Sequence, residues 1–237
     1  MSRLKQALVT GASSGIGLAI TRQLLAQDYQ VTGISRRAQI PGLADHNFHS
    51  LGLDLGDLGR VESQLADLLR TRQFDCFVHA AGRGDFGSIE QFSRLQIEES
   101  IRVNLLSGML ICRALVPSMR RQRHGRIVFI GSESALQAGR KGALYSAAKF
   151  GLRGFSQALR EDCAADGIQV SLVNPGMVRS PFFDELAFAP GALAENAIDV
   201  DDVAAVVIQI LQSSADIVID EVNLTPRVKS LDFTRKP

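Results

Sequence analysis

Thr10-Gly11-Ala12-Ser13-Ser14-Gly15-Ile16-Gly17 joins a short apolar run at residues 4–9 to a helical pattern at 16–26. Three glycines at one strand-to-helix junction need a backbone reason. Gly11 permits a turn that other residues resist, Gly15 removes a side chain that would block a pyrophosphate, and Gly17 lets the helix pack against the strand. The helix N-terminus then directs unpaired amides at phosphate groups, and Thr10, Ser13, Ser14 and Ile16 are taken with the glycines as candidate ligand-binding residues of this turn. The spacing Gly-xxx-Gly-x-Gly is neither Gly-x-Gly-xx-Gly nor a P-loop, because no lysine follows the last glycine.

Outward from this turn, apolar runs recur at 30–35, 48–53, 74–80, 126–131, 168–174 and 216–223. They alternate with helical patterns at 16–26, 58–70, 94–120, 144–165 and 200–211. Near-continuous Val, Ile, Leu and Ala in the runs fits strands buried on both faces. The expected fold is α/β: a Rossmann-type, doubly wound parallel sheet of seven strands with helices on both faces, built as a single domain over 1–237. Asp57 and Asp199 stand where N-terminal helix caps or first-turn acids belong. The stretch 177–198 carries Pro181, Pro190 and Gly191 and is too long for a simple connection, which suggests a lid or a surface excursion.

With 237 residues, 46% hydrophobic and 22% charged, the chain is long enough to bury a core without metal or disulfide staples. Twenty-six basic against 25 acidic residues give a charge of +1, with no basic stripe to follow nucleic acid. Cys76, Cys112 and Cys163 are unpaired in spacing and read as buried thiols. No signal-peptide run and no apolar stretch of about 18 residues is apparent, so a cytoplasmic protein without a membrane partner is expected, and no metal site is assigned.

A second motif is Tyr145-Ser146-Ala147-Ala148-Lys149 on a helical pattern. Residues four apart share a helix face, so phenol and ammonium can enter one site. A free tyrosine ionises near pH 10, and a nearby cation favours the phenolate, the direction expected of Lys149. Ser132 ends the fifth run, and Asn104 is a polar amide inside the apolar pattern of 94–120. Taken with Thr-Gly-xxx-Gly-x-Gly, this order of residues resembles the short-chain dehydrogenase/reductase family.

The resemblance implies hydride transfer between a nicotinamide cofactor and a carbonyl or alcohol. Asn104, Ser132, Tyr145 and Lys149 would be catalytic, with Tyr145 as general acid or base and Ser132 holding the substrate oxygen. Asn104 would kink its helix and position a water leading to Lys149. Asp54 would meet the adenine amino group, with Leu55, Ala81 and Gly82 near the nucleoside and Pro175, Gly176, Val178 and Ser180 beside the nicotinamide. The second run ends in Ser35-Arg36-Arg37 without an acid, which favours the 2′-phosphate of NADP (NADPH) over NAD. The fourth run ends in His79-Ala80-Ala81-Gly82 where the family commonly has Asn-Asn-Ala-Gly, so the bracing of the sheet must differ. His79 reads as a packed strand-end histidine rather than a general base.

Substrate contacts are expected from 133–140, with Gln137 and Arg140 as polar candidates, and from Met177, Phe182, Phe183, Leu186 and Phe188 in the lid. The basic segment 120–126 resembles that of 3-oxoacyl carrier-protein reductases, but residues 219–226 differ from their usual ending. The preferred substrate is a small or medium-sized ketone, aldehyde or secondary alcohol. The alternatives are a 3-oxoacyl thioester reductase and, in another class, a catalytically silent NADP-binding sensor. The resemblance further implies a homodimer or homotetramer formed through 94–120 and 144–165, the altered C-terminus being a departure that bears on the tetramer.

Overall fold

In the computed structural model, which describes residues 3–40, 42–43 and 45–233, the strands are β1 (Gln6–Thr10), β2 (Gln30–Ser35), β3 (Phe48–Gly52), β4 (Cys76–His79), β5 (Gly125–Ile130), β6 (Ile168–Pro175), β7 (Ala189–Pro190), β8 (Glu221–Leu224) and β9 (Leu231–Asp232). Seven of them form one parallel sheet in the order β3-β2-β1-β4-β5-β6-β8. The helices are α1 (Gly15–Leu25), α2 (Leu58–Thr71), α3 (Arg94–Ile101), α4 (Ser107–Gln122), α5 (Ala143–Cys163) and α6 (Val200–Gln212). The expected seven-stranded sheet is therefore present. Residues 1–2 and 234–237, assigned above to the same domain, lie outside the described residues.

Alternation along each strand sends neighbouring side chains to opposite faces, and the core is double for that reason. Val9, Val78 and Val128 meet Ile20 and Leu24 of α1 and Val203 and Val207 of α6. Leu8, Phe77 and Phe129 meet Leu65 of α2, Ile111 and Leu115 of α4 and Leu152 of α5. Each fully buried side chain contributes about 1.5–3 kcal/mol relative to exposure. Asp57 caps α2 by accepting from the Arg60 amide at 3.1 Å, and Asp199 caps α6 by accepting from the Asp201 amide at 2.9 Å. Cys76, Cys112 and Cys163 are free and buried.

Two elements differ from the sequence pattern. The expected helix over 94–120 is interrupted between α3 and α4 by π-helical turns at Arg102–Leu106, where one extra residue per turn lets Asn104 face inward. The stretch Arg94–Gln122 is also long and apolar enough to cross a bilayer by length and composition, which the reading of single residues overlooked. Its apolar side instead packs on the sheet through Ile111, Leu115 and Met119. The last strand of the main sheet occupies Glu221–Leu224, not 216–223. Upstream of it, Gln169 Nε2 donates to the carbonyls of Ser214, Ala215 and Ile217, so that backbone lies outside the ladder.

The strand order reverses between β1 and β4, and the connections leaving their C-terminal ends run to opposite faces of the sheet. A cleft opens at such a switch point.

Candidate active site

The cleft, about 1650 Å³, is lined by the glycine turn, the ends of β2, β4, β5 and β6, the 177–188 stretch and residues 229–233. Every residue assigned from the sequence to catalysis or cofactor binding lines it except Thr10 and Asn104, which sit behind the wall.

At the turn, Gly11 (φ 69°) and Gly15 (φ 51°) occupy the left-handed region, so Gly15 serves the backbone as well as leaving space. A Cβ on Gly17 would stand 2.3 Å from the Gly11 carbonyl oxygen, which fixes how closely α1 meets β1. The Ser14 side chain makes no cap to α1, leaving first-turn amides for a ligand. A Cβ on Gly82 would lie 3.1 Å from Asn104 Oδ1 and 3.6 Å from Lys149 Nζ, so a side chain there would fill the cradle. This open, amide-edged groove fits a dinucleotide.

Thr10 supplies the bracing that Ala80 cannot. Its Oγ1 accepts from the amides of Ala80 at 3.1 Å and Ala81 at 3.2 Å, and its own proton goes to His79 Nδ1 at 2.9 Å. His79 is thus the Nε2–H tautomer, packed 3.0 Å from where a Cβ of Gly108 would stand. Burial, aided by the Lys149 charge, holds its pKa down at about 3, so it stays neutral and is no general base.

At the end of β5, the Ser132 amide donates to Asn174 Oδ1 at 3.3 Å, and Asn174 Nδ2 is held by Glu221 and Asn223 on β8. The Ser132 hydroxyl accepts from the Ser134 amide at 3.1 Å and shares a hydrogen bond with Tyr145. Lys149, 3% exposed, donates to the Ile130 carbonyl at 2.9 Å and stands 5.7 Å from the Tyr145 ring centre. Burial lowers its pKa to about 8.

The expectation that Lys149 would depress the Tyr145 pKa is corrected here. Burial pushes it up to about 12, the Ser132 hydrogen bond opposes this, and the Asp85 carboxylate adds to the rise. Phe86 and Phe182 lie against the phenol at ring-centre distances of 5.0 and 5.9 Å, and Lys149 directs its ammonium at a backbone carbonyl. The phenol is therefore kept protonated. Only Tyr29 and Tyr145 are tyrosines, and the chain has no tryptophan, so tyrosinate absorbance reads these two groups alone. Neither should ionise at the ordinary value of 10.0, since burial also raises Tyr29 to about 12. Asp85→Asn should lower the Tyr145 transition, and Tyr145→Phe should delete it. A phenol titrating at its ordinary value would refute the raised pKa.

Asn104 is held by the Arg83 backbone and Ser100. Its Oδ1 accepts from the Arg83 amide at 3.1 Å, and its Nδ2 donates to the Arg83 carbonyl at 3.1 Å and to Ser100 Oγ at 3.4 Å. Asp54 is no helix cap; its Oδ1 accepts from the Gly56 amide at 2.9 Å in a local turn. Arg36 and Arg37 are exposed at the end of β2, line the cleft, and have no side-chain partner among the described residues. Arg140 lines the cleft, whereas Gln137 does not.

The stretch 177–198 is pinned at its ends by a bridge between Val178 and Ile198. Its middle pairs through β7 with β9, and Lys229 meets Glu133 at 2.6 Å across the cleft wall. Sequence reasoning missed Arg83, Asp85, Phe86, Lys229 and Phe233. Arg83 bonds Asp85 at 3.0 Å and Glu99 at 2.7 Å, which orders the loop bearing Phe86. None of these residues sits in a spaced motif, and the C-terminal ones arrive only through β9.

The chain is 34% identical to the 3-oxoacyl-[acyl-carrier-protein] reductase FabG of Escherichia coli over 181 residues, 74% of each chain. A metagenomic short-chain oxidoreductase solved in complex with NADP superposes with a TM-score of 0.79 at 29% identity, covering 95% of this chain and 98% of that one. An alcohol dehydrogenase from Thermococcus sibiricus, complexed with 5-hydroxy-NADP, gives 0.83 at 26%, covering 94% and 96%. The sequence model of the short chain dehydrogenase family matches residues 5–189, from β1 to the start of β7. The chain therefore belongs to that family and is an oxidoreductase that acts on CH–OH groups with a nicotinamide cofactor.

Proposed function

We propose that the domain of residues 1–237 is an NADP(H)-dependent oxidoreductase interconverting a small or medium-sized ketone or aldehyde and its alcohol. The carrying observation is that Ser132, Tyr145 and Lys149 line the same cleft as the unpartnered Arg36 and Arg37. When bound, the nicotinamide supplies a hydride to the carbonyl carbon, or takes one from the alcohol. Tyr145 gives its phenolic proton to the carbonyl oxygen in reduction, and its high pKa suits that role across neutral pH. Ser132 steadies the same oxygen as charge develops. Lys149 stabilises the phenolate left by that transfer and passes it a proton that solvent then restores to the amine, and Asn104 is a positioning residue that holds the Arg83 backbone beside Gly82 and Lys149. The turn from Thr10 to Gly17 holds the pyrophosphate and Ser35, Arg36 and Arg37 the 2′-phosphate. Asp54 and Leu55 take the adenine, Ala81 and Gly82 the ribose, and Pro175, Gly176, Val178 and Ser180 the nicotinamide. Identical subunits associate through α3, α4 and α5, of which α3 and α5 leave Leu95 and Phe150 exposed.

A second reading, reduction of a 3-oxoacyl thioester, is favoured by similarity to the Escherichia coli reductase. Against it, Arg120 and Arg123 are engaged by Asp166, and Arg126 turns inward to Ile210 and Ser213. The test is titration of the purified protein with NADPH and NADH, then a carbonyl panel that includes acetoacetyl thioester, followed by reduced-nicotinamide absorbance. Tight NADPH binding with ketone or aldehyde turnover is expected. Turnover confined to the thioester selects the second reading, and binding without any turnover sinks both.

A further inference from the structure

Five of the chain's 12 phenylalanines converge on the catalytic tyrosine from three separate segments, Phe86 after β4, Phe182, Phe183 and Phe188 in the lid, and Phe233 beyond β9. Tyr145, Phe86, Phe188, Phe183 and Phe182 form a closed circuit of ring contacts, with successive centres at 5.0, 5.0, 5.9, 5.1 and 5.9 Å. Phe233 extends it from Phe188 at 6.3 Å. Tilted and edge-on geometries prevail, and Phe86, Phe182 and Phe188 remain partly exposed to the cleft. Ordinary apolar lining is indifferent to whether a ligand is saturated, because burial scales with area. A wall of ring faces and edges adds a quadrupolar attraction that only another planar ring receives. Charge gives no competing rule, since the charged residues lining the cleft carry both signs: Arg140 and Lys141 against Asp184 and Glu185.

We propose that the substrate is a carbonyl compound bearing a planar ring, or its alcohol, with the ring seated against Phe86, Phe182 and Phe188 and the oxygen at Tyr145 and Ser132. This rests on the oxidoreductase reading above. The ring contributes binding and orientation only; the redox step remains hydride to carbon and the Tyr145 proton to oxygen.

The experiment compares NADPH-dependent reduction of phenylacetone and cyclohexylacetone. Both carry nine carbons, and in both a methylene insulates the carbonyl from the ring, so intrinsic reactivity is matched and only planarity differs. We expect kcat/KM to favour the phenyl compound about tenfold. Phe188→Leu keeps an apolar side chain where a ring stood and does not touch Tyr145. It should cut that preference to about threefold or less, with kcat/KM falling more for phenylacetone than for cyclohexylacetone and NADPH affinity unchanged. Equal rates in the parent protein, or a preference that survives Phe188→Leu, overturns the inference while the oxidoreductase reading stands. Absence of turnover with every carbonyl, NADPH being bound, overturns both.

Discussion

Tyr145→Phe lowers carbonyl reduction by about 10⁴-fold in kcat, the upper range for loss of a positioned proton donor, with NADPH affinity changed by less than about twofold. The substitution deletes one hydroxyl and leaves the ring packed between Phe86 and Phe182. The ring keeps its packing, and an unchanged NADPH affinity separates lost chemistry from lost structure. Steady-state turnover alongside a fluorescence titration of NADPH measures both quantities. Residual activity above about one part in a hundred would remove Tyr145 from the chemistry.

Arg36→Ala combined with Arg37→Ala weakens NADPH binding about 100-fold and NADH binding less than about threefold. Hydrogen bonds to a charged group contribute about 1.5–3 kcal/mol each, and about 3 kcal/mol corresponds to two decades in affinity. Both guanidinium groups stand exposed without a side-chain partner among the described residues, so removing them breaks no internal bond. The difference between the two cofactors isolates the 2′-phosphate contact, which an equal loss for both would refute. A rise in salt should weaken NADPH more than NADH for the same reason, because screening acts on the extra charge.

The sheet and the glycine-turn side of the cleft were legible because their signals are local. A glycine in the left-handed region, an apolar run of strand length and a Tyr-xxx-Lys pair on one helix face depend on neighbours a few residues away. Asp57 and Asp199 were legible as caps for the same reason. The interruption at Arg102–Leu106 was legible only through the family resemblance at Asn104, because a π-helical turn leaves the apolar periodicity of 94–120 almost unchanged.

Chain order thus indicated the strands, the glycine turn and the grouping of Ser132, Tyr145 and Lys149 in one cleft. Long-range packing settled the rest. Thr10 replaces the bracing that Ala80 lacks through an oxygen reached only when β1 lies beside β4. The Tyr145 pKa rises instead of falling because rings from residues 86 and 182 shut out water while Lys149 is drawn to the Ile130 carbonyl. The aromatic wall of the cleft includes Phe233, brought there by pairing of β9 with β7. Desolvation and ring contact are properties of what surrounds a group in space, and their size depends on residues that no spacing rule connects.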